Sequence, residues 1–300
     1  MRALLYFIAL MLGALILSAL LNYPLSLLAQ ELTDKGPHKL INTVAKLIAV
    51  PGFILIIRQF AINNKQALGY GLPRPLFIKE ILRGYGSGLL VLVGLSIVLQ
   101  LLDIRVFRPL ADDWGLVLVK TAIAALIAGL LTGFIEETFF RGGLFGAIRK
   151  QHSFVVTMVL SSLFYATLHF IKPLPIPGDA PHGWLSGLQI LWGAFDQMDD
   201  WRIFDSWLAL FGLGALFALI RERTGNLAYC IGMHAAFVLV IKLMKKFTTV
   251  DHQYSLSALV GNYDGMIGYL SAAGLLIHTL IVYKHWRVPK TPRPVDPGKT

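Results

Sequence analysis

Residues 116–149 read LVLVKTAIAALIAGLLTGFIEETFFRGGLFGAIR, and this stretch decides the fold class. Its first part, Leu116–Phe134, contains one charge, Lys120, and has the roughly 20 apolar residues that an α-helix needs to span a hydrocarbon core of about 30 Å. Phe139, Phe140, Leu144, Phe145 and Ile148 continue the apolar stripe, so the helix is expected to run on past Phe134. Glu136 and Glu137 stand between these halves, and Arg141 follows Glu137 by one helical turn. Carboxylates at such depth are costly, and those found there tend to be paired and functional. A Glu–Arg pair at this spacing shares one helix face, and the fixed cation keeps the carboxylate ionised. The plainer reading is a helix end with a surface ion pair, but apolar sequence on both sides argues against it.

Seven further apolar runs lie outside this stretch: Ala3–Leu21, Leu40–Ile57, Gly84–Leu102, Phe154–Ile171, Trp207–Ile220, Asn226–Leu243 and Gly265–Tyr283. Trp207–Ile220 is short for a span. The first run follows Arg2 and could be read as a signal peptide. It is longer than the usual h-region of about 7–15 residues and lacks a small-x-small cleavage site, so a retained span is expected. The whole chain of 300 residues is 56% hydrophobic and 15% charged, against about 25% charged in an ordinary soluble protein. A soluble single-core enzyme, a disordered chain and a disulfide scaffold are excluded on that ground. The one cysteine, Cys230, rules out an intramolecular disulfide. The fold class expected is all-α, a polytopic transmembrane bundle of about eight spans. It forms one integral domain over residues 1–283, followed by a disordered basic tail at 284–300.

The net charge of +10 could suggest nucleic acid, but its distribution fits a membrane better. Cations concentrate in segments 58–83 and 141–153 and after Tyr283, whereas 103–115 and 172–205 are net acidic. Under the positive-inside rule both termini are cytoplasmic in the cell (inner) membrane, and no nucleic-acid partner is expected. The tail, with Pro289, Pro292, Pro294 and Pro297, would lie near anionic lipid. In the long 172–205 segment, Trp184, Leu185, Leu188, Leu191, Trp192 and Phe195 recur at helical spacing, with Ser186, Gly187, Gln189 and Gly193 on the other side. An interfacial amphipathic helix follows, its aqueous end marked by Asp196, Asp199 and Asp200. It either anchors the chain or acts as a lid.

Two more polar residues fall inside the spans. His169 lies late in the fifth and His234 midway along the seventh. Taken alone, each reads as an interhelical hydrogen-bond partner. Together with Glu136 and Glu137 they could converge in one cavity and supply a base and imidazole groups. Tyr165, four before His169, could join them. His278, Lys46, Lys120 and Cys230 read as structural.

At these residues the sequence resembles the CPBP family: type II CAAX prenyl endopeptidases with their bacterial bacteriocin-processing and self-immunity relatives. Glu136, Glu137 and Arg141 match its E-E-x-x-x-R motif. Tyr165 and His169 match its aromatic-x-x-x-His motif, and His234 its third. The segments Leu68–Leu72 and Thr224–Leu227 are similar as well, so the resemblance covers roughly residues 60–240. It implies an intramembrane endopeptidase acting on a peptide or protein at the bilayer. Glu136 would activate water, Glu137 with Arg141 would hold position and charge, and His169 and His234 would orient the water or stabilise the oxyanion. Both a zinc enzyme, with Glu136, His169 and His234 as ligands, and a metal-free glutamate protease with no cofactor are compatible with this set. The chain departs from the family at Val238, where Asn or Asp is expected four after His234. Valine cannot donate to an oxyanion, a contribution commonly worth about 10²–10³ in rate. Asn226 and Tyr229 are the candidate substitutes. The alternative function is a weak or inactive relative serving as an immunity or scaffold protein. A third is a proton-coupled transporter, which would need inverted repeats or broken helices.

Overall fold

The computed structural model describes residues 1–29, 37–109, 112–175, 183–196, 198, 200–251, 253, 255–261 and 263–285. Every apolar run of the sequence forms a helix: α1 (Arg2–Leu20), α3 (Pro37–Gln59), α5 (Arg74–Leu101), α6 (Trp114–Glu137), α8 (Phe154–Leu168), α10 (Phe204–Thr224), α11 (Ala228–Phe247) and α12 (Tyr269–His285). Shorter helices are α2 (Asn22–Ala29), α4 (Lys65–Leu68), α7 (Phe145–Arg149) and α9 (Ser186–Asp196). Among the described residues six segments are long and apolar enough to cross a membrane: Arg2–Leu20, His38–Gln59, Arg74–Leu101, Trp114–Arg149, Trp201–Thr224 and Ala228–Phe247. Phe154–Leu168 and Tyr269–Lys284 are apolar but shorter. The all-α bundle expected from the sequence is therefore present. A minor addition is a two-stranded antiparallel ribbon, β1 (Arg105–Phe107) with β2 (Thr248–Val250), in which Val106 pairs Thr249.

Two boundaries differ from the hydropathy reading. α5 begins ten residues before Gly84, at Arg74, because Pro75 sits at its start and the charged turn Lys79–Arg83 is helical. α10 runs past Ile220 to Thr224 because Arg221 is buried and hydrogen-bonded rather than left in a loop. The continuation of α6 past Phe134 holds, through a π-helical segment Thr138–Leu144 and then α7.

α11 is the central helix, packed between α5 and α6. Small residues let the backbones approach, as in many membrane bundles: Gly84 and Gly88 of α5 lie against the backbone at Tyr229 and Met233, and Gly232 of α11 lies against Ile81. α10 packs on α8 and α12, and α1 on α3 and α9. Cys230 is fully buried in the interior of α11, its thiol directed at the Phe217 carbonyl. Large apolar side chains such as Leu47, Leu90, Leu101 and Leu131 face outward, as expected where lipid replaces water as solvent.

Contacts between loops define the two ends of the bundle. At the proximal end the Met1 amine meets His152, Lys150 donates to the carbonyls of Phe60 and Ala61, Arg149 pairs with Glu222, and Arg223 donates to Val282. The basic segments 58–83 and 141–153 and the end of α12 thus share one end. At the distal end the α5–α6 connection meets the segment after α11 through the ribbon.

α9 corrects one reading. Ser186 and Gly187 are buried, with Gly187 against the Ala19 carbonyl of α1, so they do not form an outer polar side. Ile190, Leu191 and Ala194 share that inward face, while Trp184, Leu185 and Trp192 point outward. The outward side is largely apolar too, with Gln189 exposed among its apolar residues, because one side packs on protein and the other is left to lipid. Residue Asp199 and the tail from 286 onward lie outside the described residues.

Candidate active site

The site is built where α6 passes into the π-helical segment. Distortions of this kind recur at functional sites. Glu137 closes the last turn of α6 with its side chain fully buried. Its Oε1 accepts from Arg141 Nη1 at 3.3 Å and lies 2.9 Å from His234 Nδ1 on α11. Arg141 is 3% exposed. Its guanidinium lies over the rings of Tyr165 and Phe217, at 4.3 and 5.0 Å from their centroids. The Phe140 ring lies 5.7 Å from it as well, so the cation is held by one carboxylate and three aromatic rings.

Glu136 occupies a different environment one residue earlier. Its side chain is 30% exposed, its Oε2 lies 3.9 Å from His234 Nε2, and that oxygen has no hydrogen-bond partner. It faces a cavity of about 660 Å³ whose wall also includes His169, His234 and Tyr165. Glu137 and Arg141 are absent from that wall. The five candidate residues therefore form two rows. Glu136, His169 and His234 line the cavity, with Glu137 and Arg141 buried behind His234. The depth offset of roughly 6 Å that helix lengths would give between Glu136 and His169 does not keep them from one cavity.

The hydrogen bonds assign the histidine tautomers. His234 Nδ1 faces a carboxylate, and His169 Nδ1 lies 2.8 Å from the Tyr165 carbonyl. Each Nδ1 therefore carries a proton. Two imidazoles and a carboxylate are side chains of the kind a zinc ion takes as ligands. Among the described residues no group of three His, Cys, Asp or Glu is placed to hold a metal.

The rest of the cavity is apolar, with walls from α5, α10, α11 and α12, and Val238 is among them. Neither proposed substitute for it reaches the cavity. Asn226 caps α11, accepting from Ala228 N at 3.0 Å and donating to the Thr224 carbonyl. Tyr229 faces α5 and hydrogen-bonds Ser87. His278 does line the cavity, 3.5 Å from Ser87 across the α5–α12 cleft. The sequence offered no partner for it because Ser87 is distant along the chain.

The two flanking segments singled out by sequence, Leu68–Leu72 and Thr224–Leu227, meet beneath the site. Leu227 N donates to Gly69 O at 3.0 Å. Gly69 (φ +92°) and Gly225 (φ +68°) adopt the left-handed conformation that favours glycine. Arg221 bridges this junction to the π segment by donating to the carbonyls of Ala67 and Arg141. Tyr70 then reaches up to hydrogen-bond Thr138, next to Glu137. Burial pushes the Tyr70 phenol up, so it stays protonated.

Residues 118–240 match a family model, that of the type II CAAX prenyl endopeptidases, Rce1-like. The resemblance to the CPBP family stands, and the matched segment contains all five candidate residues. The family is one of endopeptidases. No curated protein and no solved structure matches the chain.

Proposed function

We propose that this protein is an intramembrane endopeptidase that hydrolyses a peptide bond of a membrane-associated peptide or protein. One observation carries the reading: Glu136, His169 and His234 line a single cavity, with the Glu137–Arg141 pair buried behind them. In the mechanism we infer, Glu136 takes a proton from water as the water oxygen bonds to the carbonyl carbon. Collapse of the tetrahedral intermediate breaks the C–N bond, and Glu136 returns the proton to the leaving nitrogen. Glu137 fixes the orientation of His234, as the third member of a catalytic triad does, so that Nε2 faces the attacking water. His169 holds the same water from α8. The chain would form one integral domain over residues 1–283 of the cell membrane, both termini and the 284–300 tail being cytoplasmic.

The test compares the protein termini found in membranes of cells expressing the parent chain with those of cells expressing Glu136→Gln. New termini that appear with the parent and vanish with the variant, at equal membrane insertion, are expected. Full activity of Glu136→Gln sinks the mechanism.

Val238 favours a second reading, a weakly active or inactive relative that uses the cavity for binding, as an immunity or scaffold protein. Its side chain gives the cavity wall a methyl surface where an amide donor would serve. Under this reading Val238→Asn raises cleavage by about 10²-fold. Robust cleavage by the parent chain rejects it.

A further inference from the structure

The distal end of the bundle holds a second cavity, of about 320 Å³, lined by Arg105, Arg108, Lys245, Thr249, Asp264 and Gly265 among others. Asp264 lines the large cavity too, so the two share a wall. The charges around the smaller one do not balance. Arg105 is 3% exposed, and its hydrogen bonds all end on neutral oxygens: the Thr248 hydroxyl and the carbonyls of Gly265, Met244 and Thr248. Among the described residues neither it nor Arg108 nor Lys245 has an ion pair within 4.0 Å. The one carboxylate in the lining, Asp264, already accepts from Met266 N and Ile267 N through Oδ1. Lys172 draws on the same carboxylate from α8's end, and burial together with Lys245 holds it below the usual lysine range.

A nearly buried cation whose one nearby carboxylate, Asp264, is shared with Lys172 is under-compensated, and like charges around a concave surface focus a field that favours an anion. The surroundings indicate which anion. The ribbon stands where the lipid-facing surface of α5 and α6 ends, beside outward-facing Leu101, Phe107 and Trp114. Aromatic side chains at that level mark the headgroup region. Arg105 and Phe107, two apart on β1, share one face of the ribbon, so an acyl chain lying on Phe107 brings its headgroup toward the cations.

We propose that this cavity binds the phosphodiester of an anionic phospholipid, with Arg108 and Lys245 as the exposed contacts and Arg105 as the fixed charge behind them. The site is independent of the peptidase reading and stands or falls without it. Its link to the large cavity is the Tyr263–Ile267 segment, which supplies wall to that cavity and, through Asp264, to the smaller one. Headgroup binding would therefore order one side of the large cavity.

The test uses the full-length protein purified in neutral detergent. Phosphatidylglycerol, phosphatidylcholine and inorganic phosphate are each added, with bound lipid read by native mass spectrometry and unfolding followed by heating. One phosphatidylglycerol is expected to be retained and to raise the unfolding midpoint, with phosphatidylcholine inert. The double variant R108Q/K245Q, both positions exposed, should weaken that retention roughly 30-fold while keeping the lipid-free midpoint. K46Q/K120Q, which removes exposed cations elsewhere, should not. Unchanged retention by R108Q/K245Q, or equal loss in K46Q/K120Q, overturns the proposal. Stabilisation by inorganic phosphate equal to that by lipid overturns the lipid assignment in favour of a soluble anion.

Discussion

Glu136 and Glu137 are neighbours of one chemical type, yet their replacement should have opposite consequences. Glu137→Ala removes the carboxylate that accepts from Arg141 and meets His234 at 2.9 Å. Arg141, 3% exposed, is left among aromatic rings without its counter-ion. Breaking a buried ion pair by deleting one partner typically costs about 3–5 kcal/mol, and a stranded imidazole N–H about 1–3 kcal/mol. The two losses share a site and do not add fully, so about 4 kcal/mol is expected for the variant. Glu136→Gln should change stability by less than about 1 kcal/mol, because a partly exposed side chain is replaced by its isostere. The assay is equilibrium unfolding of the full-length protein in mixed micelles, titrated with a denaturing detergent and followed by tryptophan fluorescence. Adding Arg141→Met to Glu137→Ala should recover part of the loss, since an apolar replacement removes the uncompensated charge. A Glu137→Ala variant within about 1 kcal/mol of the parent, or a Glu136→Gln variant equally destabilised, refutes the division of roles.

Two other substitutions probe the frame and the cavity. Gly232→Val places a side chain against the Ile81 carbonyl and Tyr85 nitrogen, so it should lower unfolding free energy by about 1–3 kcal/mol, and an unchanged value would show that α5 and α11 separate freely. Gly274 lines the large cavity and an added Cβ there meets nothing within 4 Å; with Gly274→Phe, cleavage should fall at least tenfold (roughly 1.4 kcal/mol) with the fold retained, and normal cleavage would exclude this cavity as the substrate path.

Much of the fold was legible because lipid exposure demands long apolar runs, and each run became a helix. The Glu137–Arg141 pair was legible too, since a spacing of four residues fixes it within one helix. Features that depend on contacts between helices were not. The i,i+4 spacing ties Glu137 to Arg141, but that His234 of α11 meets both glutamates depends on the packing of α11 against α6. The charged end of α10 read as loop because Arg221 has its acceptors, the carbonyls of Ala67 and Arg141, on other elements. In α9 an apolar face toward lipid and an apolar face toward protein have the same hydropathy, so periodicity could not separate Trp192 from Leu191. Asn226 looked free to serve the cavity until its amide was found closing the turn into α11.

The burial of Cys230 has a practical side. The chain has one thiol, and it is sealed between α11 and α10. Water-soluble maleimides added to folded protein should find nothing to modify. A cysteine introduced at any exposed position then becomes the sole reactive thiol, with no need to mutate the native one. Reagents that cannot cross the bilayer, applied first to one face and then the other, would report directly which compartment holds the Arg108 end and which holds Met1.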